Sequence, residues 1–348
     1  MNSLMIEAME RRFLPDVAVR YGIRKLCEVR LSELRNSSEA DYIEKLKQGP
    51  IAVHTKEANE QHYELPPEFF KLVLGKNRKY SSAFWTQGCR GLDEAEDHAL
   101  ELTIEHAELR DGMEILELGC GWGSLTLAMA KKFPNAKIVA LSNSNPQREY
   151  IEGEAKRRGL SNIRIITRNI VEVTDLSSEF GSFDRVVSVE MFEHLKNYEA
   201  LLSRISGWLK PNGKLFVHIF THENHSYPFE TEGEDNWMGK YFFTGGQMPA
   251  KDLLPSFQKD FQLEKQWDWS GRHYGQTAEA WLKNMDRNSG EVKEIFNRVY
   301  GKQDSARWVQ RWRVFFMSCA ELFNFDSGRE WGVTHYLFQV SKKGRLNS

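Results

Sequence analysis

Residues 188–198 read SVEMFEHLKNY, which places Glu190 and Glu193 three apart with His194 directly after the second. Such a cluster suits two chemistries. As a metal site, E-x-x-E-H resembles the zinc motif H-x-x-E-H, but the first His is missing and no second His lies at a suitable local spacing. One imidazole and two carboxylates are a poor zinc set, so no metal is expected. As an acid–base site, Glu193 or His194 would take a proton from an ammonium, and Glu190 would attract and orient the cation. A third reading has Glu190 and His194 only bracing a turn, with rate coming from proximity alone. Where the chain places these side chains decides among the three.

The flanking sequence alternates strand and helix patterns. Strands are predicted at Glu114–Leu118, Lys137–Leu141, Asn162–Thr167, Phe183–Glu190 and Lys214–Ile219. Helix patterns fill the gaps, including SLTLAMAKKF, Pro146–Arg158 and Tyr198–Leu209. This alternation predicts an α/β fold with a parallel, doubly wound sheet. Glu190 then ends the fourth strand, at the carboxyl edge where open sheets bind ligands. Residues 222–334 break the alternation. Their polar, aromatic and glycine-containing start reads as an insertion over one sheet edge, followed by helices near 276–286, 290–299 and 303–324. THYLFQVSKK at the end is again strand-like.

ELGCGWGSL (117–125) follows the first strand and opens a helix. Gly119, Gly121 and Gly123 form G-x-G-x-G, one residue short of the dinucleotide pattern. Small residues there let a ligand approach the backbone at a helix N-terminus. A nicotinamide enzyme usually ends its second strand with an acid for the ribose. Here the strand runs into LSNSNPQ, so polar ribose contacts fall to Asn143 and Gln147.

ELGCGWGSL, LSNSNPQ, HYELPPEFF, KYSSAFW and VEMFEHLKNY occur in an order that resembles the cyclopropane fatty acid synthase superfamily of S-adenosylmethionine-dependent methyltransferases, in its coclaurine N-methyltransferase-like branch. FFTGGQMP, GRHYGQTAEAWL, WRVFFMSCAELF and GREWGVTHYLF extend the resemblance over roughly residues 50–340. It implies a class I methyltransferase (Rossmann-like) core with S-adenosylmethionine as cofactor. By position, Tyr80 and Ser81 would hold the methionine part, with Glu117, Gly119 and Gly121 beneath it. Asn143 and Gln147 would meet the ribose or nearby adenosine groups. Asn169 and Ile170 fall where related enzymes commonly use an acid for the adenine amino group. An amide oxygen at Asn169 accepts that bond without charge assistance.

Two acceptors follow from the resemblance. The leading expectation is N-methylation of a small amine, an isoquinoline-like one included, with Glu193 or His194 as base. The alternative is methylation or cyclopropanation of unsaturated acyl chains of phospholipids. Cyclopropane synthases of this family typically hold a bicarbonate base, with a Cys after the Tyr-Ser pair among its ligands. This chain has Ser82 there, while Glu190, His218, Tyr274 and Cys319 match other positions around that site. Phe84, Trp85, Tyr198, Phe242, Phe243, Tyr274 and Trp331 are expected to build an apolar acceptor pocket. Aromatic faces suit a cationic amine, a flat ring or an acyl chain.

Composition narrows the rest. The 348 residues carry a net charge of −2 with both signs interspersed, which gives no nucleic-acid footprint. No apolar run approaches a bilayer span, and the charged N-terminus does not read as a signal peptide. Cys27, Cys89, Cys120 and Cys319 form no C-x-x-C pair, so a reducing, cytoplasmic setting is expected. Four regions are expected: a helical segment and cofactor lid (1–92), the cofactor-binding core (93–221), a substrate-binding cap (222–334), and a final core strand with tail (335–348). The amphipathic face within residues 1–50, through Ile23, Leu26, Cys27, Val29, Leu31 and Leu34, is expected to pack on the core. Pairing into a homodimer and contact with lipid are its other uses.

Overall fold

The computed structural model describes residues 3–53, 65–233 and 236–341. His62 to Glu64 of the HYELPPEFF stretch and the tail beyond Ser341 lie outside the described residues. Three helices lead the chain: α1 (Ser3–Glu10), α2 (Asp16–Leu34) and α3 (Glu39–Gln48); α4 (Pro67–Val73) and α5 (Leu92–His106) follow. The core then runs β1 (Glu114–Leu118), α6 (Ser124–Lys132), β2 (Lys137–Ser142), α7 (Asn145–Arg158), β3 (Ile163–Thr167), α8 (Ser177–Phe180), β4 (Phe183–Val189), α9 (Tyr198–Trp208) and β5 (Leu209–His222). After these come β6 (Tyr227–Pro228), α10 (Trp237–Tyr241), β7 (Gln247–Met248), β8 (Phe261–Trp269), α11 (Gly271–Arg287), α12 (Ser289–Asn324, broken at Gly301) and β9 (Trp331–Val340).

The seven-stranded sheet has the order β3-β2-β1-β4-β5-β9-β8. β1 to β5 pair in parallel, and β9 runs antiparallel to both β5 and β8. Parallel strands are covered on both faces, which is why every residue of β1 and β2 after the first is buried, Glu117 included. Chain order reverses between β1 and β4, so a crevice opens beyond their carboxyl ends. The glycine turn and Glu190 both lie there. Local capping fixes the helix starts behind it. Ser144 accepts the amide of Gln147 to cap α7, and Asn197 accepts the amide of Ala200 to cap α9.

β8 is the element the periodicity did not reveal. Its sequence FQLEKQWDW alternates weakly, and only its two ends are buried, as suits an edge strand with one wet face. It belongs to the sheet although it lies within 222–334, the range expected to be cap alone. β9 likewise starts at Trp331, four residues ahead of the expected boundary.

Helices α11 and α12 rise over the crevice, and α2 packs across them. Arg20 bridges Glu279 and Glu321, and Arg313 bridges Asp16 and Asp286. Glu10 of α1 is buried in a two-pronged pair with Arg311, both contacts at 2.9 Å. Cys27 and Leu34 are buried and Ile23 and Leu31 half-buried in the same apolar cluster, so these positions of α2 pack inward, whereas Val29, expected on the same face, is 53% exposed. No helix among the described residues is long and apolar enough to cross a membrane.

Candidate active site

Two cavities meet at the carboxyl edge of the sheet. The first is lined by Gly119, Gly121, Asn143, Gln147, Asn169 and Ile170, with Val53, Leu195 and Thr244 also on its wall. The second is larger, lies under the cap and is lined by Phe220, Phe229, Phe243, Tyr274, Phe315 and Phe323 among other apolar groups. Glu190 and His194 line both.

The turn after β1 makes the first cavity possible. Gly119 has φ of +75°, and a Cβ there would come within 2.7 Å of the Met191 side chain. Glycine therefore lets the turn after β4 close against the turn after β1. Gly121, at φ +50°, faces open space. Gln147 is buried; its Oε1 accepts the Ser142 hydroxyl at 2.7 Å, while its Nε2 has no partner among the described residues. Asn169 turns its Oδ1 onto the amide of Val171 at 3.1 Å. Glu117 lies below the turn, not on the cavity. It accepts the Thr126 hydroxyl, and burial pushes its carboxyl up to about 8.

Glu190 is the hub. It follows β4 with a φ of +45°, a left-handed conformation rare for a residue with a side chain. Its own amide donates to the carbonyl of His218, and its side chain is 7% exposed. Ser82 donates its amide to Oε1 at 3.1 Å, Tyr274 donates its hydroxyl to Oε2 at 2.6 Å, and His218 Nε2 lies 3.2 Å from Oε1. Burial raises the Glu190 carboxyl, while Lys79, Tyr274 and Ser82 pull it back down.

Lys79, which the sequence did not single out, is fully buried beneath this group. Its ammonium donates to the Ser81 hydroxyl and the Ser82 carbonyl, at 2.5 and 2.7 Å. Burial lowers it to about 8, partly offset by Glu190 and Glu96. Glu96 shapes the loop from below by accepting the amides of Gly75 and Asn77.

Glu193 and His194 share a short 3-10 turn, Phe192–His194. Glu193 lines the larger cavity and is buried, and its Oε2 has no partner among the described residues. Burial first, and the Glu190 carboxylate second, raise it well above the usual range. His194 is pushed the other way, to about 4, by burial and then by Lys196. Its ring lies nearly parallel to Phe243, centroids 5.9 Å apart.

The family model of mycolic acid cyclopropane synthetase matches residues 52–329. The chain belongs to that family. It is 36% identical over 327 residues to (S)-coclaurine N-methyltransferase of Thalictrum flavum subsp. glaucum, covering 92% of this chain and 88% of the relative. The crystal structure of coclaurine N-methyltransferase bound to N-methylheliamine and SAH superposes with a TM-score of 0.92 at 33% identity, covering 96% of this chain and 98% of that one. A more distant relative, the cyclopropane-fatty-acyl-phospholipid synthase of Escherichia coli (strain K12), is 28% identical over 270 residues, covering 74% of this chain and 66% of the relative. The protein is thus an S-adenosylmethionine-dependent methyltransferase of the cyclopropane fatty acid synthase superfamily, in its coclaurine N-methyltransferase branch.

The first cavity of this methyltransferase fits that cofactor. The partnerless Gln147 amide offers a buried donor, and Gly121 leaves room against the backbone. Tyr80, by contrast, lines the larger cavity and packs its ring on Phe70 and Trp281. Ser81 is buried and meets Lys79.

Three of the residues expected at the acceptor pocket, Phe243, Tyr274 and Cys319, line the larger cavity. The others do not line it, each for a local reason. Phe84 stacks on His273, and Trp85 binds His273 and Thr277 of α11 through its two N–H groups. Phe242 stacks on Phe315 within the cap core. Tyr198 points behind the 3-10 turn, donating to the Phe192 carbonyl. Trp331 donates to the Tyr227 hydroxyl from β9. Ser82 turns its hydroxyl to the Ala83 carbonyl. His218 stands behind Glu190 and reaches the cavities only through it.

Proposed function

We propose that this methyltransferase N-methylates a small secondary amine of the isoquinoline kind, with Glu193 as the base. The supporting observation is the pair of buried carboxylates, Glu190 and Glu193, at the mouth of an aromatic cavity. Two neighbouring carboxylates in a dry site repel each other, so in the empty site Glu193, whose Oε2 has no partner among the described residues, holds its proton, while Glu190 keeps its charge among its donors. A cationic amine entering between them relieves that repulsion, so Glu193 gives its resting proton to solvent and faces the ammonium as a carboxylate, and the aromatic walls around it favour a cation or a flat ring. The relatives named for coclaurine N-methylation agree with this chemistry.

S-adenosylmethionine supplies an electrophilic methyl group on a sulfonium. The acceptor nitrogen needs a free lone pair to receive it, so an ammonium must first lose a proton. His194, held to about 4, is too weak a base to keep that proton at neutral pH. Glu193, raised by burial, is the stronger acceptor, and its unpartnered Oε2 is available. His194 then borders both cavities as a neutral ring against Phe243 and positions the acceptor. Glu190 stays where Ser82, Tyr274 and His218 fix it and faces the cation.

The alternative reading is methylation or cyclopropanation of unsaturated acyl chains, which the large apolar cavity and the Escherichia coli relative favour. Against it, Tyr274 and His218 are already engaged with Glu190, and the Ser82 hydroxyl points at backbone. The resemblance puts all three among the positions around a bicarbonate base, with Glu190 and Cys319. The deciding assay supplies methyl-labelled S-adenosylmethionine with tetrahydroisoquinolines in one reaction and unsaturated phospholipid vesicles in another. Label in the amine is expected. Label confined to lipid overturns the proposal.

A further inference from the structure

Glu190 begins a hydrogen-bonded line that leaves the active site through the sheet. His218 Nε2 lies 3.2 Å from Glu190 Oε1, and His218 Nδ1 lies 2.7 Å from His335 Nε2. His335 Nδ1 in turn lies 2.9 Å from His106 Nδ1. Strand register builds the first step, since His218 and His335 are direct partners in the β5–β9 ladder. His106 is the last residue of α5 and meets His335 from the side. Trp267 stacks on His106 at 3.9 Å and Trp269 packs on His335 at 4.1 Å, which keeps the line dry. His218 and His335 are fully buried, and only His106 keeps 9% exposure. Methyl transfer as described above uses none of this line beyond His218.

One carboxylate fixes every proton along it. An ionised carboxylate only accepts, so His218 must carry its proton on Nε2. His218 Nδ1 then accepts, which places the His335 proton on Nε2. His335 Nδ1 accepts in turn, which places the His106 proton on Nδ1 and leaves Nε2 as the outer end. A protonated Glu190 would allow the reverse order along the whole line. In a dry interior such aligned bonds reinforce one another.

We propose that His335 and His106 are positioning residues for methyl transfer, locking His218 in its Nε2–H tautomer so that Glu190 is held as a carboxylate facing the acceptor. The proposal rests on the reading of Glu190 given above. It explains how a carboxylate this deeply buried keeps its charge: three donors from three elements converge on it, and one is oriented from outside the site. Other groups face Glu190 as well: Lys79 from the loop before α5, Glu193 and His194 from the 3-10 turn, Tyr274 from α11 and Cys319 from α12. His106 faces Glu105 on its own helix, Lys265 of β8 and His335 of β9.

The test reads the tautomers directly. Long-range proton–nitrogen correlation on the 15N-labelled full chain at pH 7.5 reports which ring nitrogens of His106 and His335 carry hydrogen. Protonated Nδ1 on His106 and protonated Nε2 on His335 are expected. An unprotonated Nδ1 on His106 reverses the line and overturns the proposal. This readout needs no acceptor, so it is decided separately from the amine assay. Kinetics with a tetrahydroisoquinoline supply the second arm. His335→Gln keeps an N–H for His218, and His335→Leu removes it. His335→Leu is expected to lower kcat about tenfold and to move the acidic limb of its pH profile up by about one unit, with the KM for S-adenosylmethionine unchanged. His335→Gln is expected to restore that limb. Equal losses in both variants with an unmoved limb indicate packing alone and overturn the proposal.

Discussion

Tyr274 donates its hydroxyl to Glu190 Oε2 across 2.6 Å, joining the cap helix α11 to the strand end that bears the central carboxylate. The bond ties cap position to site charge. In Tyr274→Phe, Oε2 of a buried carboxylate loses its donor, and the Glu190 carboxyl rises further. Such a loss costs about 1–3 kcal/mol. Turnover is expected to fall about tenfold or more. Binding of S-adenosylmethionine, followed by calorimetry, is expected to change less than about twofold, because Tyr274 lines only the acceptor cavity.

Gly119→Ala tests the cofactor turn. The new methyl would meet the Met191 side chain at 2.7 Å in a backbone held at φ +75°. Both the clash and the left-handed conformation oppose it, for a combined cost on the order of 1–3 kcal/mol. The turns after β1 and β4 must part to relieve it, which widens the cavity between them. Affinity for S-adenosylhomocysteine is expected to fall at least about tenfold, with a lower melting temperature. Unchanged affinity would show that this turn does not shape the cofactor cavity.

The alternating strands, the glycine turn and the placement of Glu190 were legible because each is a local pattern. EILEL ends in Gly119, and FDRVVSV delivers Glu190 to the same edge. What escaped depends on distant partners. Nothing in KYSS marks Lys79 as buried, since lysine normally keeps its charge in water. His335 stood in a strand pattern, but its meaning comes from register with His218, 117 positions away in the chain, rather than from its neighbours. Phe242 and Phe243 are equivalent in sequence, yet one stacks on Phe315 in the cap core and the other lines the acceptor cavity. β8 was hidden because a wet edge strand lacks an apolar run.

Glu117 makes stability depend on pH. Its carboxyl sits at about 8 in the folded protein because it is buried, against an ordinary value of 4.5 when unfolded. The folded state therefore holds a proton that the unfolded chain releases between these values. The stability is fully present below pH 4.5 and is lost as pH rises through about 8. Glu117→Gln removes this dependence while keeping an acceptor for Thr126. The variant is expected to match the wild type near pH 4.5. It should gain on the wild type by up to about 1.4 kcal/mol per pH unit toward pH 8, read by urea titration without ligand. A pH-independent difference would show that Glu117 titrates normally.

Glu193→Gln separates proton removal from alignment. The amide keeps the shape of the side chain but accepts no proton, whereas the His194 ring borders both cavities. With an acceptor that is an ammonium at neutral pH, Glu193→Gln is expected to lower kcat about 10²–10⁴-fold, with little change in cofactor affinity. His194→Ala removes a positioning surface, so its loss should divide between kcat and the acceptor KM. The sharper comparison varies the amine. An acceptor of low basicity arrives neutral and needs no base, so the Glu193→Gln deficit is expected to shrink with it. For basic amines the deficit should likewise shrink as pH rises toward the amine's own pKa, because solution then supplies the free lone pair. A deficit that ignores both amine basicity and pH would mean that Glu193 aligns the acceptor and removes no proton.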